Sequence, residues 1–146
     1  MYRFPLEAFL KLRRAHEKRE MVQLVTLANE LTQLRHQQEE LAGQRQELRR
    51  ATEETLGRGT SAAELHFLVA AGASLDARGG ALRERLEEAE RRHRAQQEAF
   101  QQAQKGLKIV ENLRTRHFAA WRREQQLREQ QQIEELFLLR FPRNSR

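Results

Sequence analysis

The residue types that most often hold metal ions are scattered through this sequence. Cysteine is absent, which excludes disulfides and thiolate ligands. The histidines are 20 to 30 positions apart, so no two of them have the one-turn spacing of a helical zinc site. We therefore predict no metal site and no cofactor. The five histidines are His16, His36, His66, His93 and His117.

The sequence also lacks the residue patterns that acid–base catalysis, nucleophilic catalysis and phosphate transfer require. The one aspartate is Asp76, and Glu134 and Glu135 are adjacent, which places them on different faces of a helix. Gly57-Arg58-Gly59 lacks the lysine and the Ser/Thr of a phosphate-binding loop. No nucleophile with a neighbouring base stands out. We predict that the protein is not an enzyme.

Positive charge is the remaining chemical feature. The net charge is +6, and residues 57–146 carry 17 basic and 12 acidic groups. Such an excess can attract phosphates or an acidic protein surface. Glutamates are interleaved with the arginines, however, which is typical of solvated helix faces. A basic nucleic-acid-binding coiled coil and a generic coiled-coil scaffold therefore remain as alternatives.

The composition predicts which elements position these groups. Leu, Ala, Glu, Lys and Arg account for 86 of the 146 residues, a share typical of long helices and coiled coils. The two prolines, Pro5 and Pro142, lie near the ends, so no proline interrupts the interior. We predict an all-α fold, a long two-helix antiparallel coiled-coil hairpin, forming one domain over residues 1–146.

The first helix is predicted over residues 4–56. A 4-3 spacing of seam positions runs through it, and the seam is apolar from Leu24 to Leu48 except at Gln38 and Arg45. The seam positions are Leu6, Leu10, Arg13, Glu17, Glu20, Leu24, Leu27, Leu31, Leu34, Gln38, Leu41, Arg45, Leu48, Thr52 and Thr55.

Glycines predict a reversal region over residues 57–80. Gly57 and Gly59 stop the first helix, and Ser61 to Glu64 has the spacing of a capping box. Gly72 and the pair at 79–80 loosen the segment after this cap. We expect a short helix inside this region.

The second helix is predicted over residues 81–140, followed by a tail over 141–146, because Phe141-Pro142 ends it. Later along this helix Ile109, Leu113 and Ala120 shift the apolar stripe. The seam positions before the shift are Leu82, Leu86, Ala89, His93, Gln96, Phe100, Ala103, Leu107 and Val110.

The unequal helix lengths predict an overhang. A reversal centred near residue 68 places Phe4 opposite about residue 132 and Trp121 opposite about residue 15, so Ile133 to Phe141 has no partner within a monomer. A tighter turn at 57–60 would lengthen the overhang. A membrane-surface helix is a further alternative for this apolar end, although Glu134 and Glu135 oppose it.

No apolar run approaches the ~18 residues of a membrane-spanning helix, and the N-terminus lacks the apolar core and the cleavage site of a signal peptide. We therefore expect a cytoplasmic protein without a transmembrane segment.

The order of the motifs resembles the FliJ family of the bacterial flagellar type III export apparatus, with injectisome stalk proteins as near relatives. The opening has Phe4, Leu6, Leu10, Leu12 and Arg13, and the middle has the run Gly57 to Leu65. Near the C-terminus the resemblance rests on Lys108, Glu111, Leu113, the charged run 122–129, Glu134-Glu135 and the Leu/Phe end. Family members often have Asp-Glu where this sequence has Glu-Glu.

This resemblance implies a non-catalytic stalk protein of flagellar biosynthesis. Its end with both termini would insert into the hexameric export ATPase and promote ring assembly and activity. The part toward the hairpin would contact the cytoplasmic domain of the export gate, and export chaperones would be further partners. The protein would then be cytoplasmic and peripherally associated with the inner-membrane export apparatus, and no nucleic acid is expected.

The resemblance also suggests contact residues. Candidates for contact with the ATPase are Arg13, Arg14, Arg122, Arg123, Glu124, Leu136 and Phe137. Candidates for contact with the gate are Leu41, Gln44, Leu48, Leu68 and Leu75.

Overall fold

A computed structural model describes residues 1–140 of the chain. It contains two helices, α1 (Glu7–Arg58) and α2 (Ala62–Arg140), and no strand within that range. The two antiparallel helices confirm the predicted all-α class. The helices contribute to two compact units, which we call the turn unit (Glu20–Phe100) and the terminal unit (Met1–Arg19 with Gln101–Arg146, described as far as 140).

Local chemistry accounts for both ends of α1. The Glu7 amide donates to the Phe4 carbonyl at 3.2 Å. The Glu7 carboxylate lies in the first turn, where its negative charge interacts favourably with the helix dipole. At the other end, Gly59 has a φ of 84°, a left-handed conformation that glycine adopts without steric cost. Its amide donates to the Leu56 carbonyl at 3.4 Å. Gly59 therefore ends α1.

The predicted cap at the start of α2 is confirmed, with one difference. The Ser61 hydroxyl accepts a hydrogen bond from the Glu64 amide at 3.2 Å. The Glu64 carboxylate accepts from the Thr60 hydroxyl at 2.9 Å, and not from the backbone amide of a capping box. These two bonds start α2 three residues after Gly59, the glycine that ends α1.

The reversal is much shorter than the predicted region 57–80. Only residues 59–61 lie between the helices, and α2 runs without a break past Gly72, Gly79 and Gly80. A glycine within a helix costs only about 1 kcal/mol relative to alanine, which is small compared with the packing of the leucines around these positions. The expectation of a separate short helix was wrong for this reason. The predicted helix end at Phe141-Pro142 and the tail lie outside the described residues.

The core of the turn unit follows the predicted seam. Five buried apolar side chains, two from α1 and three from α2, form one cluster, and Leu41 packs against it. Gln38 departs from the prediction, because its side chain is exposed. The 4-3 pattern therefore identified the facing surfaces of both helices. The cluster consists of Leu31, Leu34, Leu82, Leu86 and Ala89.

One glycine in α2 makes room for a side chain of α1. A Cβ atom on Gly79 would collide with the guanidinium of Arg45, whereas one on Gly72 would meet Leu48 at an ordinary contact distance of 3.8 Å. Arg45 donates to the Leu75 carbonyl at 3.5 Å and pairs with Asp76 at 3.4 Å. A polar residue of the seam is thus accommodated by the absence of a side chain opposite it.

These contacts predict opposite outcomes at neighbouring glycines. Gly80→Ala should raise the free energy of unfolding by about 1 kcal/mol, because alanine is the better helix former and its Cβ would meet open space. Gly79→Ala should leave the free energy of unfolding nearly unchanged. The same gain in helix propensity is offset by a loss of about 1 kcal/mol, because the new Cβ displaces Arg45 from its hydrogen bond. Urea unfolding followed by circular dichroism measures both. Equal gains in the two variants would contradict the role assigned to Gly79.

The terminal unit has a smaller core. Phe4, Leu10 and Val110 are buried together, and Tyr2 and Leu107 pack against them. Leu10 has no exposed surface. The predicted seam position Leu6 is exposed instead, because it precedes the helix.

Residues 1–6 lie on α2 through an aromatic cluster. The Tyr2 hydroxyl is 3.0 Å from His117 Nδ1, and its ring lies 5.0 Å from that of Phe118 and 5.3 Å from that of Trp121. The tight turn explains why Trp121 meets Tyr2 and not the predicted region near residue 15. Moving the turn toward the N-terminus moves every partner on α1 in the same direction.

Candidate functional site

The C-terminal part of α2 extends past the N-terminal end of α1 and of the segment that precedes it. Trp121 contacts Tyr2 in the N-terminal segment, and among residues 122–140 every side chain is exposed except the half-buried Gln125. We call residues 122–140 the overhang. At 1.5 Å per residue it is about 28 Å long. It begins well before the predicted start at Ile133, because the turn is tighter.

The end of the overhang is apolar on all sides. Leu136, Phe137, Leu138 and Leu139 are 64%, 61%, 62% and 77% exposed, and we call them the tip. Successive residues of an α-helix are about 100° apart around the axis, so four in a row surround it. A helix that is apolar all round belongs in a buried environment. The tip therefore fits an enclosing socket better than a flat surface.

The overhang carries five of the seven residues predicted to contact the ATPase. Leu136 and Phe137 belong to the tip, and Arg122 is exposed at the root of the overhang. Arg123 Nε donates to the Ala119 carbonyl at 3.4 Å, and Glu124 pairs with Arg128 at 3.0 Å. The charged candidates therefore lie at one end of the overhang and the apolar candidates at the other.

The other two candidates lie on the paired part of the terminal unit. The Arg13 guanidinium is 4.9 Å from the centre of the Phe9 ring and adjoins Gly106. Arg14 pairs with Glu111 at 3.9 Å. Both arginines thus already have intramolecular contacts, and the structure does not bring them to the overhang.

Three of the residues predicted to contact the gate share one groove of the turn unit. Leu48, Leu68 and Leu75 are half-buried and line an open groove of about 460 Å³ near the turn. Leu41 lies against the core cluster, and Gln44 is exposed. The structure therefore separates the five candidates into a groove and its surroundings.

The terminal unit has two chemically different flanks. On one side, which we call the ionic flank, Glu7 pairs with Arg114 at 3.4 Å and Arg14 with Glu111. Successive helix residues are about 100° apart around the axis. Relative to the buried Leu10 and Val110, this spacing places a second set of residues on the opposite side, which we call the apolar flank. Its exposed members are Phe9, Leu12, Ile109 and Leu113.

Four of the twelve arginines of α2 form ion pairs with glutamates. Arg91 contacts Glu88 at 2.7 Å, and Arg92 contacts Glu30 at 3.1 Å. Exposed pairs of this kind contribute little stability, but they compensate charge that phosphates would otherwise attract.

Neither a metal-binding cluster nor a membrane span is found in the part of the chain that the structure describes. No three His, Asp or Glu side chains converge there on a possible metal position. Neither α1 nor α2 has a stretch sufficiently apolar to cross a bilayer.

Sequence reasoning missed the aromatic cluster and the apolar flank. The cluster depends on the register of the helices, which the misplaced turn concealed. The flank had a visible signal, since Ile109 and Leu113 depart from the seam spacing. A stripe that leaves the seam while the seam itself continues indicates a second surface.

The sequence matches the family model described as "Flagellar FliJ protein" over residues 2–146. Comparison with curated protein sequences and with solved structures gives no match.

Proposed function

This chain belongs to the FliJ family of flagellar proteins, and we propose that it is the non-catalytic coiled-coil stalk that inserts its overhang into the hexameric export ATPase. The observation that supports this proposal is the exposure of the four apolar side chains of the tip. Insertion would promote assembly and activity of the ring. The family resemblance supplies the partner, and the tip supplies the contact surface.

The distribution of apolar side chains distinguishes a ring from other partners. A membrane surface or the groove of a second protein covers one face of a helix, and the remaining apolar side chains would stay in water. A pore surrounds the helix and covers every side of the tip. Glu134 and Glu135 immediately precede the tip, which further disfavours immersion in lipid.

The dimensions of the overhang also suit a pore. A single helix with its side chains is about 10–12 Å wide, whereas a pair of helices is about twice that. The overhang can therefore enter a constriction that the paired part of the terminal unit cannot. Arg122 and Arg123 at its root would then lie at the mouth of the pore, where acidic groups would attract them.

The gate and the chaperones complete the proposal. The groove lined by Leu48, Leu68 and Leu75 lies in the turn unit and is our proposed contact for the cytoplasmic domain of the export gate. Half-buried leucines beside the charged side chains of Arg49 and Glu53 give an apolar centre with a polar rim, as in protein interfaces. Contacts with export chaperones, and a position at the cytoplasmic side of the inner membrane, follow from the same family role.

The tip provides the test. Leu136→Ser combined with Leu139→Ser should weaken stimulation of ATP hydrolysis when the protein is added to the export ATPase of its own organism, because two leucines that are buried in the complex would become polar. At least a tenfold higher concentration should be needed for half-maximal stimulation, since each fully buried leucine is worth about 1.5–3 kcal/mol.

A matched control is available in the turn unit. Val22→Ser with Val25→Ser also replaces two exposed apolar residues of a long helix and should leave stimulation unchanged. Full stimulation by the tip variant, or equal loss in both variants, would rule out insertion of the tip.

A further inference from the structure

A second 4-3 stripe lies on α2 outside the seam with α1. It starts at Ile109, one position before the buried Val110, and continues past the end of the seam into the overhang. Its members are exposed. We call this set the outer stripe, and it consists of Ile109, Leu113, Arg116, Ala120, Arg123, Leu127, Gln130 and Glu134.

The spacing of the outer stripe is that of a coiled-coil seam. Steps of four and three residues alternate through all eight positions, and this repeat keeps one face of a helix toward another helix. The seam with α1 meanwhile continues through Ala103, Leu107 and Val110. Four of the eight members are apolar, namely Ile109, Leu113, Ala120 and Leu127, so this exposed face of α2 is half apolar and half polar, while α1 occupies a different face.

The charges on the outer stripe are distributed unequally along it. Arg116 and Arg123 lie in its first part, and Glu134 ends it. Within the described residues, Arg116 and Glu134 take part in no ion pair. A parallel copy of the stripe would place arginine against arginine and glutamate against glutamate. An antiparallel copy places arginines against glutamates twice, once at each end of the contact.

We propose that the outer stripe binds the same stripe of a second copy of this chain, in an antiparallel, two-fold symmetric pair. Such an interface is self-complementary by symmetry. With Arg116 opposite Glu134 of the second copy, Ala120, Arg123, Leu127 and Gln130 lie between the two charged ends. The contact also brings the end of one overhang toward the apolar flank of the other copy, where Ile109 and Leu113 are exposed.

The pair covers one side of the overhang. Where the overhang also enters the ATPase ring, which rests on the proposed function, self-pairing and insertion exclude each other. The dimer would then keep the apolar end covered in chains that are not bound to the ring. The pairing itself does not depend on the ATPase and is tested in its absence, so that its failure leaves the proposed insertion unaffected.

Charge reversal tests the pair. The wild-type chain should approach twice its mass of 17.3 kDa in sedimentation equilibrium as its concentration rises. An acidic variant, Arg116→Glu with Arg123→Glu, and a basic variant, Glu134→Arg, should each associate at least about tenfold more weakly, because every charge on the stripe then has the same sign. An equimolar mixture of the two variants should dimerise again.

The control reverses charges on another side of the overhang. Arg122→Glu with Glu129→Arg lies away from the outer stripe and should leave the dimer intact. Circular dichroism should show unchanged helix content in all variants, since every substituted residue is exposed. A wild-type chain that stays monomeric at submillimolar concentration would overturn the proposal, as would a mixture that fails to restore association.

Direction is tested with a single cysteine, because the chain has none. Ala120→Cys should not form a disulfide between copies, since an antiparallel pair places Ala120 opposite Gln130 or a later position. A disulfide needs Cα atoms about 4.4–6.8 Å apart. Rapid formation of a disulfide-linked dimer would show parallel pairing and contradict the arrangement.

Discussion

A chain carrying Leu10→Ala is expected to lose about 3 kcal/mol of unfolding free energy in its terminal unit, within the range of about 2–5 kcal/mol for a buried leucine. Leu10 has no exposed surface and is packed against Phe4 and Val110. The core of this unit is small, so few side chains can move into the cavity. The loss should appear as a lower urea midpoint in the fluorescence of Trp121, the only tryptophan, which lies against Tyr2 in the same unit.

Leu12→Ala is the matched control for this substitution. Leu12 lies two residues further along the same helix and is exposed, so its replacement should change stability by less than about 0.5 kcal/mol. If both variants shift the midpoint equally, the assignment of Leu10 to the core would be wrong.

Ala89→Asp should cost the turn unit still more, about 3–5 kcal/mol, because it buries a charge without a partner. Ala89 is 1% exposed and lies among the leucines of both helices. An aspartate side chain is too short to reach water from this position. Urea unfolding followed by circular dichroism should show the loss as a large decrease in the midpoint.

The same substitution at Ala95 separates burial from helix propensity. Ala95 is exposed on the same helix, so Ala95→Asp should cost only the propensity difference, about 0.7 kcal/mol. Near-wild-type stability of the Ala89 variant would contradict the close packing of the two helices there.

The facing surfaces of the helices could be predicted because the apolar repeat alone determines them. Leu31 and Leu34 on α1 and Leu82 and Leu86 on α2 are buried as the 4-3 spacing indicates. Single positions departed from the pattern for local reasons: Leu6 lies before the helix begins, and the polar Gln38 turns to solvent.

The turn could not be placed from the sequence because glycine has two uses in this chain. Gly59 ends a helix through its positive φ, whereas Gly79 lies within a helix and leaves space for Arg45. The second use depends on a residue far away in the sequence, so local reasoning treated both glycines as breakers. In a hairpin the numbers of two facing residues sum to twice the number at the centre of the turn. An error in the position of the turn therefore shifts the predicted partner of Trp121 by twice that error.

The candidate contact residues stay predictions. The sequence predicted no partner within a monomer for the apolar end of α2 under either turn position, and the structure adds that the four tip residues are exposed. Arg13 and Arg14 were selected for their charge, and the structure places them beside Phe9 and Glu111. Charge alone does not tell a free arginine from a paired one, because the pairing depends on the register of the two helices.

The two flanks of the terminal unit have a consequence for symmetry. In the proposed complex the paired part of this unit would stay at the mouth of a sixfold ring, which presents six identical surfaces around its axis. With an ionic flank on one side and an apolar flank on the other, this part has no rotational symmetry to match them. Each subunit of such a ring would therefore meet a different chemical surface of this stalk. A mismatch of this kind makes the subunits inequivalent and gives the complex as many equal-energy orientations as the ring has subunits.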